Sequence, residues 1–122
     1  MAAIIKDVLP FRDTGAGTLT GTTPAVYSRE FPEVAVFSKI VFMLNVSAIT
    51  GTNTPTLTIT IEEWDPQSNT WNTLPGTQFT AVTATGFQRI SFTQFGTSLR
   101  AKYARTGTSP VFTFTLTAIV ET

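Results

Sequence analysis

Histidine and cysteine are both missing from this chain of 122 residues. Without cysteine there is no disulfide framework and no thiolate metal site, and the absence leaves the redox compartment open. Without histidine the commonest acid–base group and metal ligand is gone. Charge is scarce as well. Only 13% of the residues are charged, and eight basic side chains balance eight acidic ones. A net charge of zero supplies no general pull toward nucleic acid or a membrane surface, so neither is expected as a partner. No apolar run approaches the ~20 residues that a membrane-spanning helix needs. The opening MAAIIKDVLPF lacks the long apolar stretch and small-residue cleavage site of a signal peptide, which predicts a protein made in the cytoplasm and not secreted.

Threonine stands in place of the missing charge, at 25 positions. It is β-branched and suits a pleated, half-exposed surface. A surface of threonine also packs against another protein with little desolvation cost. Hydrophobic residues make up 42% of the chain and include ten phenylalanines. Each phenylalanine contributes roughly 1.5–3 kcal/mol when fully buried. The length suits a single domain whose core needs no disulfides.

One segment is nearly said twice. Residues 50–61 read TGTNTPTLTITI and residues 106–116 read TGTSPVFTFTL. Each has Thr-Gly-Thr, a short polar link, proline, and then large apolar residues at alternate positions. Gly51 and Gly107 can supply positive φ. Pro55 and Pro110 interrupt sheet hydrogen bonding. Each copy follows a strand-like run, so the pattern predicts two β-hairpins of one design. Residues 17–28 carry a weaker third echo.

Period-two alternation then marks the strands. Residues 34–49 form the longest candidate, with Ile40, Phe42, Leu44, Val46 and Ala48 on one face. Leu57, Ile59 and Ile61 share a face of the next. Strands are also predicted over 77–82, 87–92, 99–105 and 111–120, the last with Phe112, Phe114 and Leu116 inward. The sequence WDPQSNTW at 64–71 has the composition of a hairpin loop. No amphipathic helix is evident. The expectation is an all-β fold, an antiparallel β-sandwich or jelly-roll-like barrel of seven to nine strands. Residues 17–122 make that domain. Residues 1–16 make an extended N-terminal arm, since Pro10 and the GAG at 15–17 break any helix.

Catalytic chemistry has little to stand on. A nucleophilic triad needs a base beside its nucleophile, and no spacing here supplies one. Glu62 and Glu63 are sequential on a strand and point to opposite faces, and Asp65 sits at a turn. They are not a glycosidase pair. A calcium site from Glu63, Asp65 and Asn69 lacks a dense carboxylate set. The reading is a protein that is not an enzyme and holds no metal or cofactor. Two constellations remain. Trp64 and Trp71 flank the DPQSNT loop, where they either hold strand register or stack on a sugar. Arg100 and Lys102 share a strand face, with Arg105 and Arg89 nearby in the pattern. They form either a solvated face or a small basic patch for an acidic partner. The apolar residues Ile4, Ile5, Val8 and Leu9 of the arm are the other candidate partner contacts.

The run FMLNVSAITGTNTPTLTITIEEWDPQSNTW, followed by LRAKYARTGTSPVFTFTLTAI, resembles a pattern in small β-sandwich proteins of tailed bacteriophages. In those proteins a Leu-Asn-Val strand leads to a Gly-Thr-x-Pro turn and an Asp-Pro loop ending in Trp. A Leu-Arg-x-Lys strand, a Gly-Thr-Ser-Pro turn and a Phe-Thr-Phe strand follow. The likeness spans residues 34–120 and lies in turns and strands. It implies a virion accessory component, most of all a capsid decoration (cement) protein. Such a protein binds the outer capsid surface and stabilises it, with the major capsid protein or another virion protein as partner. A homo-oligomer, first of all a trimer, fits the three-fold sites of a capsid lattice. The alternative is a carbohydrate-binding or receptor-binding tail module using Trp64 and Trp71.

Overall fold

Alternating apolar side chains drive two strands well beyond ordinary length. The computed structural model describes residues 2–5, 18–20, 25–28, 30–32 and 34–121. In chain order the elements are β1 (Ala2–Ile5), β2 (Thr18–Thr20), β3 (Val26–Tyr27), a 3-10 turn at Val34–Val36, β4 (Lys39–Asp65), β5 (Thr70–Thr73), β6 (Gly86–Phe92) and β7 (Leu99–Glu121). Every pairing between these strands is antiparallel. No α-helix occurs among the described residues.

β4 and β7, of 27 and 23 residues, pair with each other from Lys39↔Glu121 to Glu63↔Leu99. This two-stranded ribbon is the spine, and the other strands flank it. β6 lies along the first half of β4 and β5 along the second half. β1 and β2 lie along the second half of β7, and β3 along its first half. The ribbon therefore has two limbs, each widened by short strands.

The repeated segments are not the turns of two separate hairpins. They face each other at the middle of the ribbon, where the pairing runs Thr50↔Val111, Thr52↔Thr108 and Thr56↔Thr106 with register shifts between. Superimposing one copy on the other converts the first of these pairs into the last and leaves Thr52↔Thr108 as its own counterpart. The junction thus has an approximate two-fold axis. Each glycine lies against the other copy's proline. A Cβ on Gly51 would lie 3.0 Å from the Pro110 Cα, and one on Gly107 would lie 2.9 Å from the Pro55 Cα. Both glycines have positive φ, as do Asn53, Thr54 and Ser109. The Asn53 side chain donates to the Thr108 hydroxyl across the junction. Local turn chemistry is the same for a hairpin and for a paired bulge, so the repeat by itself does not tell them apart.

The junction bends the ribbon. Tyr103 and Phe114, on either side of it in β7, have ring centroids 5.5 Å apart. A straight strand would separate them by about 36 Å. The junction also changes which residues face inward. In β4 the core-facing residues are Ile40, Phe42, Leu44 and Val46 before the junction and Leu57, Ile59 and Ile61 after it, with Val41 and Glu62 buried on the other face. In β7 the buried positions are odd-numbered through Arg105 and even-numbered from Phe112. An odd number of residues inserted at a bulge swaps the faces of a strand, and the swap keeps both limbs turned toward one core. Phe42, Leu44, Leu57, Ile59, Phe112, Phe114 and Leu116 are all at most 1% exposed and belong to a single cluster.

The expected strand at 77–82 is absent. After Pro75 and Gly76 the chain runs beside the sheet, with one bridge, Leu57↔Val82. Side-chain amides take over the pairing. Gln78 accepts from the Ile61 N–H at 2.9 Å and donates to the Leu74 carbonyl at 2.9 Å. Gln88 accepts from the Thr80 N–H at 2.9 Å and donates back to its carbonyl at 3.0 Å. A glutamine amide has the donor and acceptor of a peptide group, so it satisfies the edge without a strand.

Candidate functional site

The hairpin between β4 and β5 builds the first part of the site. The Asp65 carboxylate accepts from the Gln67 N–H at 3.0 Å and from the Ser68 N–H at 3.4 Å. Asn69 completes the turn at positive φ. Register then sets Trp64 directly opposite Trp71. Their ring centroids are 5.4 Å apart and the planes are inclined at 54°. Both rings are half-buried. Hydrogen bonds to the turn, with Ser68 first, hold the Asp65 carboxyl below its ordinary range.

β7 supplies the second part. Arg100 and Lys102 face outward from it, and Arg100 lies opposite Glu62. The Arg100 Nε donates to the Glu62 Oε1 at 2.8 Å, and the two side chains are only 18% and 11% exposed. The guanidinium lies between two rings, 3.9 Å from the Tyr27 centroid and 4.4 Å from that of Trp71. Arginine suits this place because its planar cation stacks on aromatic faces while its N–H groups bond in plane.

The segment after β3 supplies the third part. Ser28 bonds to Ala101 twice, donating its N–H to the carbonyl and accepting the Ala101 N–H on its hydroxyl, each at 2.9 Å. Phe31 and Leu99 exchange backbone bonds of 2.8 and 3.1 Å. These anchors hold Tyr27 over Arg100 and carry Glu30 to the edge of the tryptophan pair. Glu30, Ser98, Trp64 and Trp71 line an open pocket of about 260 Å³.

The other sequence candidates disperse. Arg105 is 4% exposed and turns inward, so it is no part of a surface patch, and burial lowers its pKa. The parity of β7 explains this, because Arg105 lies on the same face as Tyr103. Arg89 is on β6, along the other limb. Lys102 pairs in register with Tyr27 and borders the site. Glu63 accepts from the Gly96 N–H at 2.9 Å on the opposite sheet face. Glu62, Glu63 and Asp65 therefore each have a different structural partner. No group of three or more acidic, histidine or cysteine side chains clusters to hold a metal among the described residues. Ile4 and Ile5 lie in β1, whose backbone pairs with the chain's own β7 at Ile119 and Ala118. Val8 and Leu9 lie outside the described residues, as do Pro10, the GAG at 15–17 and positions 21–24 of the weak third echo.

Tyr27 and Glu30 are members of the site that sequence reasoning missed. Their place depends on β3 pairing with a strand about seventy residues later in the chain. The only local sign is the aromatic residue in the short run AVYS. No helix among the described residues is long and apolar enough to cross a membrane. No protein-family model matches the chain, and no curated protein matches it.

Proposed function

We propose that this chain is a non-catalytic structural protein that docks onto a larger protein assembly, and that the assembly is a tailed-phage capsid with the chain as its decoration protein. The observation that carries the docking reading is the pre-formed cluster of Tyr27, Arg100, Trp71 and Trp64 on an outward sheet face. Tryptophan, tyrosine and arginine dominate the energetics of protein interfaces. Here they are already ordered by their own contacts, so docking loses little side-chain entropy. The phage setting comes from the resemblance in residues 34–120. On this reading the two limbs of the bent ribbon are the two layers of a jelly-roll-like β-sandwich. A rigid body with few charges suits repeated contacts on a lattice, where each contact can be modest.

The sugar-binding alternative has less to work with. The tryptophan rings are steeply inclined to each other, and Arg100 lies over Trp71, so the pair is not a flat stacking platform. Co-sedimentation with undecorated capsids tests the proposal. The chain is expected to pellet with them, and W71A to pellet at least tenfold less at equal concentration. Failure of the folded parent chain to pellet rejects the decoration role.

A further inference from the structure

Arg100 shows how this surface holds a cation, with a ring on each side and the Glu62 carboxylate in plane. The pocket beside it repeats those ingredients. It has two inclined indole rings, from Trp64 and Trp71, and a carboxylate, from Glu30. Here Arg100 already covers Trp71 from its own side, and among the described residues no cation pairs with Glu30. Among the described residues the ion pairs are Lys39 with Glu121 and Arg100 with Glu62, and Glu30 belongs to neither. Glu30 is exposed. The charge of Arg100 is already met by Glu62, so among the described residues the Glu30 carboxylate at the pocket has no ion-pair partner of its own.

We infer that this pocket takes the basic side chain of a partner protein, an arginine or lysine, with its cation on the tryptophan rings and its N–H groups donating to Glu30. The size agrees, because about 260 Å³ lies below the range of whole-ligand pockets and suits one side chain. The chemistry agrees too. Indole is the best aromatic acceptor for a cation, and a carboxylate adds a charge-assisted hydrogen bond. Ser98 also lines the pocket, and a serine hydroxyl there can accept a further bond. This inference rests on the docking reading above and specifies what the docked partner presents.

The chain has only two tryptophans, and both line the pocket. Its intrinsic indole fluorescence therefore reports on this site alone. Titration with N-acetyl-arginine amide is expected to change that fluorescence saturably, with a Kd on the order of millimolar for so small a probe. N-acetyl-citrulline amide, of the same shape without charge, is expected to leave it unchanged. The Glu30 side chain is itself exposed, between the buried Ser28 and Phe31, so E30Q is expected to keep the fold. It is expected to weaken the arginine probe about tenfold, the loss of one charge-assisted bond. Equal responses to the arginine and citrulline probes would overturn the inference. So would an unchanged Kd in E30Q, or a saturable response to methyl β-glucoside in place of the cation. Capsid pelleting of E30Q separates the two readings. Pelleting as strong as the parent's, with no probe binding, removes the cation pocket and leaves docking intact. Probe binding without pelleting by the parent chain supports the pocket and removes the capsid.

Discussion

At the scale of single residues, Arg100 is the most connected side chain of the outward face. R100A removes the partner of a mostly buried carboxylate and the filling between two rings. It is expected to cost about 2–3 kcal/mol in denaturant unfolding followed by tryptophan fluorescence. R100K keeps the charge but loses the planar stack, and is expected to cost about 1 kcal/mol. Asp65 gives a pH signature of known sign. Its pKa in the folded chain lies below the ordinary 3.8. Its turn bonds therefore stabilise the fold fully above that value, and the contribution is lost as pH falls through the folded pKa. Acid titrations of the parent and D65N should diverge above pH 3.8 and converge at the acid end. Divergence confined to neutral pH would mean that another group is responsible. Trp64, Trp71 and Arg100 could be named from the sequence because hairpin chemistry and strand period fix them locally. Glu30 and the inward turn of Arg105 could not. One depends on a distant pairing, and the other on a bulge that swaps strand faces.

At the scale of elements, the ribbon junction makes opposite predictions for neighbouring positions. G107A places a methyl group 2.9 Å from the Pro55 Cα at a φ of 113°. It is expected to destabilise by on the order of 2–3 kcal/mol. Thr54 is β-branched and has a φ of 52°. T54G relieves that conformation and is expected to stabilise by about 1 kcal/mol. Thermal melts of the two variants check both signs, and a stable G107A would mean that the junction is free to re-form differently. The element types were legible because alternation of threonine with large apolar residues specifies strands. Their pairing was not. The repeated Thr-Gly-Thr…Pro reads as a turn whether the next strand folds back locally or meets its counterpart across the sheet. Residues 77–82 look like a strand by composition, yet two glutamine side chains meet the edge in its stead. The edge at the other side of the sheet carries a further test. Deleting residues 1–5 uncovers β7 along Ala118–Glu121. A loss of about 1 kcal/mol there would lower Tm by roughly 4 °C. An unchanged Tm with weaker capsid pelleting would assign the strand to a partner instead.

At the scale of the whole molecule, one core serves both limbs, so F114A is expected to cost about 3–5 kcal/mol and to loosen both. A loss under about 1 kcal/mol would contradict its place at the contact with Tyr103. Assembly on a capsid lattice would bring copies together at three-fold sites, and light scattering at high micromolar concentration tests whether trimers exist beforehand. A monomer there rejects the solution trimer. The bent ribbon has a further consequence, in time. Lys39 pairs with Glu121, and nearly every rung between β4 and β7 joins residues far apart in the chain. The spine therefore cannot begin as a local hairpin and grow. It must wait for a large loop to close, which places folding in the millisecond-to-second range of high-contact-order β proteins. Until β7 arrives, β4 waits with only its end held in the local hairpin to β5, and its isoleucine- and valine-bearing stretch can pair with the same strand of another copy. Yield on refolding should thus fall steeply with protein concentration, whereas in the finished molecule β7 covers one edge of that strand and β6 and β5 cover the two ends of the other.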